Sequence, residues 1–336
     1  MKRWIWQYEN YPHFTYQFET LEHLLQKIAM EQGYLLALSQ TLSQDTILQR
    51  QCDALLNETL STAAIEGEIL NRDSVKASIA KKFGLRDIDD KKIIDSTDNL
   101  VSILIDANTN YDKALTLERL FGWHNALFPK GYSGLRKINT ASFRGEETMQ
   151  IVGGSMGKEI VYYEAPPRNR LEQEMQRFLA WFNSEKPTLI KACIAHLWFV
   201  IIHPFDDGNG RITRAITDLV LSNIENSKIS RLYSMSSTIN EHRKAYYTAL
   251  ENTTGYLQKD GDALDITLWC EWFLNTLYQA LLDAKSKLGH IVFKTQFWDK
   301  HRDKQLNARQ IKVLNFILDI GMENFKGNLS KKKYVS

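Results

Sequence analysis

The most constraining feature of the sequence is a proline followed closely by a glycine-rich turn between two apolar segments. Residues 193–202 are apolar almost throughout, which predicts a buried helix. Pro204 has no backbone N–H and disfavours the α conformation in the preceding residue, so this helix should end near His203. Residues 208–210 (Gly-Asn-Gly) tolerate positive φ, and a new helical periodicity begins at Arg211. The segment therefore predicts a helix, a tight turn and a second helix whose N-terminus faces the turn.

Such a turn is a predicted anion site. Unpaired N–H groups and the positive end of the helix dipole attract phosphate oxygens. Arg211 and Arg214 are three residues apart and lie on one helical face, where two guanidinium groups can hold a polyphosphate. Asp207 precedes the turn and offers the hard oxygen ligand that Mg²⁺ prefers. His203, at the mouth of the turn, can accept a proton from a hydroxyl near neutral pH.

Residues 203–214 also resemble the motif of the Fic family. That motif runs His-Pro-Phe, any residue, an acidic residue, Gly-Asn-Gly-Arg, two further residues and Arg, and every fixed position is matched. The resemblance implies a mainly α fold, with a Fic helical core and a small β-hairpin flap, and transfer of AMP from ATP to a protein. It implies that His203 is the catalytic base and Asp207 the metal ligand. The ATP-binding residues that it implies are Glu66, Gly208, Asn209, Gly210, Arg211, Ile212, Thr213, Arg214, Tyr246 and Tyr247.

A second motif lies in the N-terminal third of the chain, where Thr62 is followed four residues later by Glu66 and then by Gly67. Taken alone, this pattern is typical of a helix that ends at a glycine. Beside the 203–214 motif it resembles the inhibitory motif that some Fic proteins carry before the catalytic core. The resemblance implies that Glu66 pairs with Arg214 and takes the place of the γ-phosphate of ATP. Glu68 is interpreted as a solvated neighbour.

Three other features have two interpretations each. The β-prone segments 150–152 and 159–162 flank a glycine-rich tip and predict a hairpin. It is either an ordinary surface hairpin or, as in Fic relatives, a flap that binds the target by strand addition. The target-binding residues of the flap would be Ile151, Val152, Gly153 and Gly154. Tyr246 and Tyr247 either contact the nucleobase or pack in the core, and His124, on a predicted helix, is interpreted chiefly as a packing residue.

Composition narrows the class of protein. The chain has 336 residues, of which 43% are hydrophobic and 11% aromatic, enough for a large core. The net charge of +2 gives no strong attraction for nucleic acid, which makes nucleic acid an unlikely partner. Three cysteines, far apart in the sequence, fit neither a disulfide framework nor a zinc site and suit a reducing cytoplasm. No apolar run is long enough to span a membrane, so a cytoplasmic protein without a membrane partner is expected.

We expect three regions along the chain. Residues 1–112 form an N-terminal helical region with the inhibitory motif at 62–67, and residues 113–285 form the Fic catalytic domain with its flap at 149–163. Residues 286–336 form a C-terminal helical region, whose end resembles either the opening of a truncated winged helix or a solvated basic tail. The aromatic residues between 4 and 18 are expected to pack an extended segment onto the body, with an exposed recognition surface as the alternative.

The leading hypothesis is an ATP-dependent protein adenylyltransferase, a nucleotidyltransferase that uses ATP and Mg²⁺ and is autoinhibited by Glu66. Its partner would be a protein with an acceptor Tyr, Thr or Ser hydroxyl. Self-modification is expected, and a homodimer is left open. One alternative is removal of AMP from a modified protein by the same site, with Glu66 orienting a water molecule. Another is a DNA-binding regulator that uses the C-terminal region.

Overall fold

The computed structural model of the chain describes residues 4–85, 92–153, 160–226, 232–255 and 264–320. Over these ranges it contains twelve α-helices and two small antiparallel sheets of two strands each. The predicted mainly α fold with a small β-hairpin is therefore confirmed. Among the described residues, no helix combines the length and the apolar composition that crossing a membrane requires. The segment after residue 320, which includes the suggested winged-helix opening, lies outside the described residues.

The helices and strands are numbered in their order along the chain. The N-terminal helices are α1 (Phe18–Ser39), α2 (Gln44–Ile65), α3 (Arg72–Lys82) and α4 (Asp95–Thr109). The central elements are α5 (Leu117–Leu127), β1 (Tyr132–Ser133), β2 (Arg136–Lys137), β3 (Gln150–Gly153), β4 (Ile160–Glu164), α6 (Leu171–Ser184), α7 (Leu189–Ile202) and α8 (Asn209–Ile224). The C-terminal helices are α9 (Met235–Glu241), α10 (Arg243–Thr254), α11 (Thr267–Lys300) and α12 (Ala308–Ile320).

The core is built around α7 and α8, the two helices on either side of the glycine-rich turn. From Lys191 onward α7 is buried on almost every side, as its apolar sequence predicts. One face of α4 packs against α8 and buries Leu100, Ile103 and Leu104. Helix α4 is therefore part of the core, because its apolar residues cover the side of α8.

Helix α2 is fastened to the rest of the molecule near its C-terminal end. Glu58, buried on α2, accepts hydrogen bonds from the Ser236 N–H at 3.0 Å and the Ser234 hydroxyl at 2.7 Å, and so caps the start of α9. Tyr247, on α10, donates its hydroxyl to the carbonyl of Ile65 at 3.1 Å. These contacts fix the position of the chain where α2 ends.

Helix α1 and the aromatic segment before it pack onto later parts of the chain. Helix α1 lies along α11, which continues to Lys300 without a break at residue 285, the expected end of the catalytic domain. The N-terminal aromatic segment packs at the base of the second hairpin: Trp4 meets Tyr163 edge-on at 5.7 Å, and the Trp6 Nε1–H donates to a β4 carbonyl at 2.7 Å. Packing, rather than an exposed recognition surface, is thus confirmed for these tryptophans.

Candidate active site

The turn between α7 and α8 has the geometry that its sequence predicts. Helix α7 ends at Ile202, and His203 adopts a left-handed conformation with φ 49° and ψ 58°. Asn209 closes the turn, because its side chain accepts from the Phe205 N–H at 3.0 Å and donates to the Phe205 carbonyl at 2.8 Å. Gly208, with φ 80°, is the N-cap of α8 and has no side chain with which to cap it. The first N–H groups of α8 therefore lack intrahelical acceptors and can bind an anion.

Two glycines of this turn have neighbours that leave no room for a side chain. A Cβ on Gly208 would lie 2.9 Å from Cε2 of Phe128. A Cβ on Gly210 would collide with the carboxylate of Glu66, whose Cδ would be 2.9 Å away, and would lie 3.1 Å from Nη1 of Arg214. The Glu66 carboxylate thus lies directly over the start of α8.

Arg214 is enclosed by the last turn of α2. Its side chain is 2% exposed, and its Nε donates to the Thr62 hydroxyl at 2.6 Å. Its Nη2 donates to the Thr62 carbonyl at 2.8 Å and to Oε1 of Glu66 at 2.7 Å. Burial lowers the pKa of Arg214, but the charge and the hydrogen bond of Glu66, together with Tyr246 and Glu58, outweigh burial and the pKa is raised. Gly67, with φ 82°, turns the chain immediately after Glu66. The structure thus brings the 62–67 motif to Arg214.

Arg211 is held by a second carboxylate from the same turn. Its Nη1 donates to Oε2 of Glu68 at 2.7 Å, and its Nη2 lies 3.7 Å from Oδ1 of Asp207. The guanidinium also lies over the ring of Phe128, 5.1 Å from its centroid. The interpretation of Glu68 as a solvated neighbour is therefore wrong, because the turn after α2 directs both glutamates to the start of α8.

His203 lies half-buried at the mouth of the turn. Its Nδ1 is 3.3 Å from the carbonyl of Val200, which can only accept, so in the neutral ring Nδ1 carries the proton. Nε2 then keeps a free lone pair. Burial lowers the pKa of His203 to about 4, against an opposing contribution from the bond to Val200. The imidazole is therefore neutral at pH 7 and available as a proton acceptor.

The two adjacent aspartates have different environments. Asp206 accepts from the Asn139 N–H at 2.8 Å and from the Gly145 N–H at 3.3 Å, so it holds the loop between β2 and β3. Asp207, whose side chain is 39% exposed, accepts hydrogen bonds from the Ser133 hydroxyl and from the Gly208 N–H at the start of α8. Of the two, Asp207 is the carboxylate that faces the turn.

A magnesium ion fits this site only in company with phosphate. No group of three or more His, Cys, Asp or Glu side chains suited to a metal ion occurs in the part of the chain that the structure describes. Mg²⁺ commonly takes one or two protein carboxylates and completes its shell with water and substrate phosphates. Asp207 suits that role because it adjoins the start of α8 and its side chain is 39% exposed, and among the described residues its oxygens accept only from the neighbouring Gly208 N–H and the Ser133 hydroxyl. Asp206 instead holds the loop after β2 through two backbone N–H groups.

Two residues that support the turn lie outside any motif in the sequence. Arg144, buried in the loop after β2, donates to two consecutive carbonyl groups of the turn, from its N–H and from its Nε, at 2.9 Å each. His124, on α5, stacks on Phe205 with ring centroids 4.2 Å apart, and its Nε2 lies 3.2 Å from the Asp207 carbonyl. Burial lowers the pKa of His124 to about 4, so this ring is a neutral support beneath the turn.

Three expected ATP contacts do not fit this structure. Ile212 is buried, and its N–H already donates within α8 at 3.0 Å. Thr213 is buried and donates its hydroxyl to a carbonyl one turn back at 2.7 Å. Tyr246 is a core residue whose hydroxyl lies 3.0 Å from Nε2 of His196. Tyr247 remains a candidate for contact with the nucleobase, since 40% of it is exposed beside the end of α2.

The predicted flap is the β3–β4 hairpin. Ile151 pairs with Tyr163 and Val152 with Val161 in antiparallel register, and the side chains of Ile151 and Val152 are exposed. Gly153 lies against the Tyr162 ring, where a Cβ would collide. The remaining flap residue of the prediction, Gly154, lies outside the described residues.

A half-buried neutral histidine, an open helix N-terminus and two buried arginines lie together at this turn, an arrangement that suits a phosphate group with a proton acceptor beside it. Residues 114–221 match the Fic/DOC family, and residues 4–85 match a domain of unknown function, DUF4172. The chain therefore contains a Fic domain over residues 114–221.

Its relatives are distant. It is 25% identical to the protein adenylyltransferase Fic of Culex quinquefasciatus over 263 residues, which cover 76% of this chain and 47% of that protein. It is 28% identical to the protein of the same name from Drosophila yakuba, over 44% of this chain and 31% of that one. The chain thus spans less than half the length of these relatives. The crystal structure of a Fic family protein from Desulfovibrio desulfuricans matches with a TM-score of 0.60 and 24% identity, over 96% of this chain and 85% of that chain.

Proposed function

We propose that this protein is an ATP-dependent protein adenylyltransferase that transfers AMP to a Tyr, Thr or Ser hydroxyl of another protein. The observation that carries the proposal is the neutral His203 at the mouth of a turn whose helix start has open N–H groups and two arginines. The relatives named protein adenylyltransferase support the same reaction class. ATP would bind with its phosphates at the start of α8 and its base near Tyr247.

In the proposed reaction, Nε2 of His203 takes the proton of the acceptor hydroxyl while the hydroxyl oxygen attacks the α-phosphorus of ATP. A new oxygen–phosphorus bond forms. The bond from the α-phosphorus to the bridging oxygen breaks, and pyrophosphate leaves with that electron pair. The N–H groups of α8 and the Arg211 guanidinium stabilise the charge on the phosphate oxygens. Bound with Asp207, Mg²⁺ would supply further neutralisation of that charge.

The acceptor segment is proposed to add to the β3–β4 hairpin as an extra strand. Exposed apolar side chains on this short hairpin, at Ile151 and Val152, support that role. The chain itself is also proposed as an acceptor. We place this activity in the cytoplasm, where free thiols are stable, because all three cysteines are unpaired in the structure.

We further propose that the protein is autoinhibited by the turn that follows α2. Glu66 occupies the space over Gly210 and pairs with Arg214, the arginine expected to hold the γ-phosphate. Glu68 pairs with Arg211, expected to hold the inner phosphates. ATP therefore has to displace both carboxylates before its phosphates reach the two arginines. The protein with both glutamates in place should therefore transfer AMP slowly.

Removal of AMP from a modified protein is the second candidate, favoured by one observation. The Glu66 side chain is 32% exposed although one of its oxygens is bonded to Arg214, so the carboxylate can also meet water near His203. Incubating an adenylylated acceptor protein with this chain, without ATP, and measuring AMP release by mass spectrometry separates the two directions.

Incubation with α-³²P-labelled ATP and Mg²⁺, with and without a lysate, tests the main proposal. Label is expected on a protein band and, more weakly, on the chain itself. His203→Ala should abolish labelling while ATP binding is retained, because His203 contacts the acceptor hydroxyl rather than the phosphates. Equal labelling by His203→Ala would refute the mechanism, and label from γ-³²P-labelled ATP would indicate phosphate transfer instead.

A further inference from the structure

The loop between β2 and β3 is held in place by a contact with the core and by hydrogen bonds to the turn between α7 and α8. Phe143 inserts its ring into the core and meets Phe121 edge-on at 5.3 Å. Asp206, in the turn, accepts from the N–H groups of Asn139 and Gly145, which lie in this loop on either side of Phe143, at 2.8 and 3.3 Å. The loop is therefore rigidly placed although it contains no regular secondary structure.

Within this loop Arg144 makes a set of contacts that no motif predicts. It is 1% exposed, and it donates from its N–H to the Pro204 carbonyl and from Nε to the His203 carbonyl, both at 2.9 Å. Its Nη2 donates to the carbonyl of Pro166, just after the β3–β4 hairpin. The Arg144 side chain thus connects His203, the residue proposed as the base, to the segment that follows the hairpin proposed to bind the acceptor.

His203 needs such support because of its backbone conformation. A non-glycine residue at φ 49° and ψ 58° is strained, and it persists only when its surroundings determine it. The Nε of Arg144 fixes the direction of the His203 carbonyl, and the N–H of Arg144 fixes the next one. The direction of the His203 carbonyl depends on the φ and ψ of His203, so the bond from Nε restrains the conformation that aims the imidazole at the mouth of the turn. The bond to the Pro204 carbonyl holds the residue that follows.

We propose that Arg144 is a positioning residue, which holds His203 in its left-handed conformation and keeps the imidazole in register with the β3–β4 hairpin. Arg144 touches neither the phosphates nor the acceptor in this scheme. The kinetic consequence rests on the proposed adenylyl transfer, whereas the effect on the His203 ring does not.

Arg144 also acts on the proton affinity of the ring. After burial and the opposing bond to Val200, the charge of Arg144 is the next contribution to the pKa of His203, and it lowers that pKa. Glu66 from the end of α2 and Asp207 from the turn face the same ring and raise it. Loss of the Arg144 charge therefore moves the His203 pKa upward from about 4.

Two substitutions separate the effect of the Arg144 hydrogen bonds from the effect of its charge. Arg144→Met removes the charge and both side-chain hydrogen bonds, to the carbonyls of His203 and Pro166. Arg144→Lys keeps the charge but cannot reach both of these carbonyls. The control is Arg168→Met, an arginine that packs over Phe143 at 5.3 Å and pairs with Glu172 at 2.7 Å, without a contact to the turn. Each is compared with the parent by NMR titration of histidine-labelled protein without ligand, the His203 signal being assigned by its loss in His203→Ala. Self-labelling with ATP is measured in parallel in a Glu66→Gly background.

Arg144→Met should raise the His203 pKa and lower kcat by roughly 100-fold, the effect of misplacing a catalytic group by about 1 Å, with the KM for ATP within about twofold. Arg144→Lys should leave the pKa low and still lose most of kcat. Arg168→Met should change neither. An unchanged His203 pKa and chemical shift in Arg144→Met, or full activity in Arg144→Lys, would overturn the proposal. If even the Glu66→Gly parent transfers no AMP, the proposed function fails, and the NMR titration still decides the role of Arg144.

Discussion

Replacing Glu66 by glycine should make the protein less stable and more active at once. Arg214 is 2% exposed and loses one of its three hydrogen bonds, while both bonds to Thr62 remain. Breaking a fully buried ion pair costs about 3–5 kcal/mol of unfolding free energy. Because Glu66 is 32% exposed and Arg214 keeps its other partners, we expect a loss of only about 1–2 kcal/mol.

The gain in activity has a separate origin. With the carboxylate gone, the γ-phosphate can reach Arg214 and the α-phosphate can align with the attacking oxygen. Misalignment of about 1 Å costs roughly 100-fold in rate, so transfer should rise by about that factor. Saturating ATP should also stabilise Glu66→Gly more than it stabilises the parent, since Arg214 then regains an anionic partner.

Labelling with α-³²P-labelled ATP measures the gain in transfer activity. Urea denaturation with and without ATP measures the loss of stability and its recovery when ATP binds. Glu68→Gln removes the charged partner of Arg211. Because Glu68 is 41% exposed, this ion pair is worth at most about 1 kcal/mol, so the rate of transfer should rise by no more than roughly fivefold. Asp73→Asn, an exposed carboxylate just beyond the turn, is the charge control. Unchanged labelling in Glu66→Gly, or an equal rise in Asp73→Asn, would refute autoinhibition by this turn.

Three more outcomes are expected. Asp207→Ala should raise the Mg²⁺ concentration needed for half-maximal transfer at least tenfold. Asp206→Ala should lower the urea midpoint and leave the Mg²⁺ titration unchanged. The reverse result would show that the metal was assigned to the wrong carboxylate. Because burial lowers the pKa of His203 to about 4, the imidazole stays neutral at mildly acidic pH. The value of kcat/KM should therefore be level from pH 6 to 8 and fall only toward pH 4. A fall centred near pH 6.5 would contradict this expectation. Gly210→Ala places a methyl group where the Glu66 carboxylate lies, so calorimetry should show weaker ATP binding and denaturation a lower stability; normal ATP affinity would mean that the phosphates bind elsewhere.

Local rules were sufficient to predict the catalytic turn. Pro204 ends α7, the glycines permit the turn, and the apolar period after them starts α8, so each step depends on neighbours in sequence. The pairing of Glu66 with Arg214 came from resemblance to a family motif rather than from spacing. Its geometry could be seen only once the two helices were placed together.

The remaining parts of the site depend on distant contacts. Arg144 looks like a surface residue in a polar stretch, and nothing in its neighbours indicates that it is buried against the catalytic turn. Glu68 differs from a solvated glutamate only through the direction of the turn at Gly67, which no local propensity sets. Tyr246 and Tyr247 are adjacent and chemically alike, yet their positions on α10 make one a core residue and leave the other half-exposed.

The contacts that hold α2 in place determine how the proposed autoinhibition would respond to the abundance of the protein. Glu58 joins α2 to α9, and Tyr247 joins its last carbonyl to α10, so the Glu66 carboxylate is held beside Arg214 within one chain. An intramolecular inhibitor has a fixed effective concentration that dilution does not change. If the proposed autoinhibition holds, a scarce copy and an overproduced one would be restrained to the same degree. Release would then have to come from something that competes for the arginines rather than from a change in expression level.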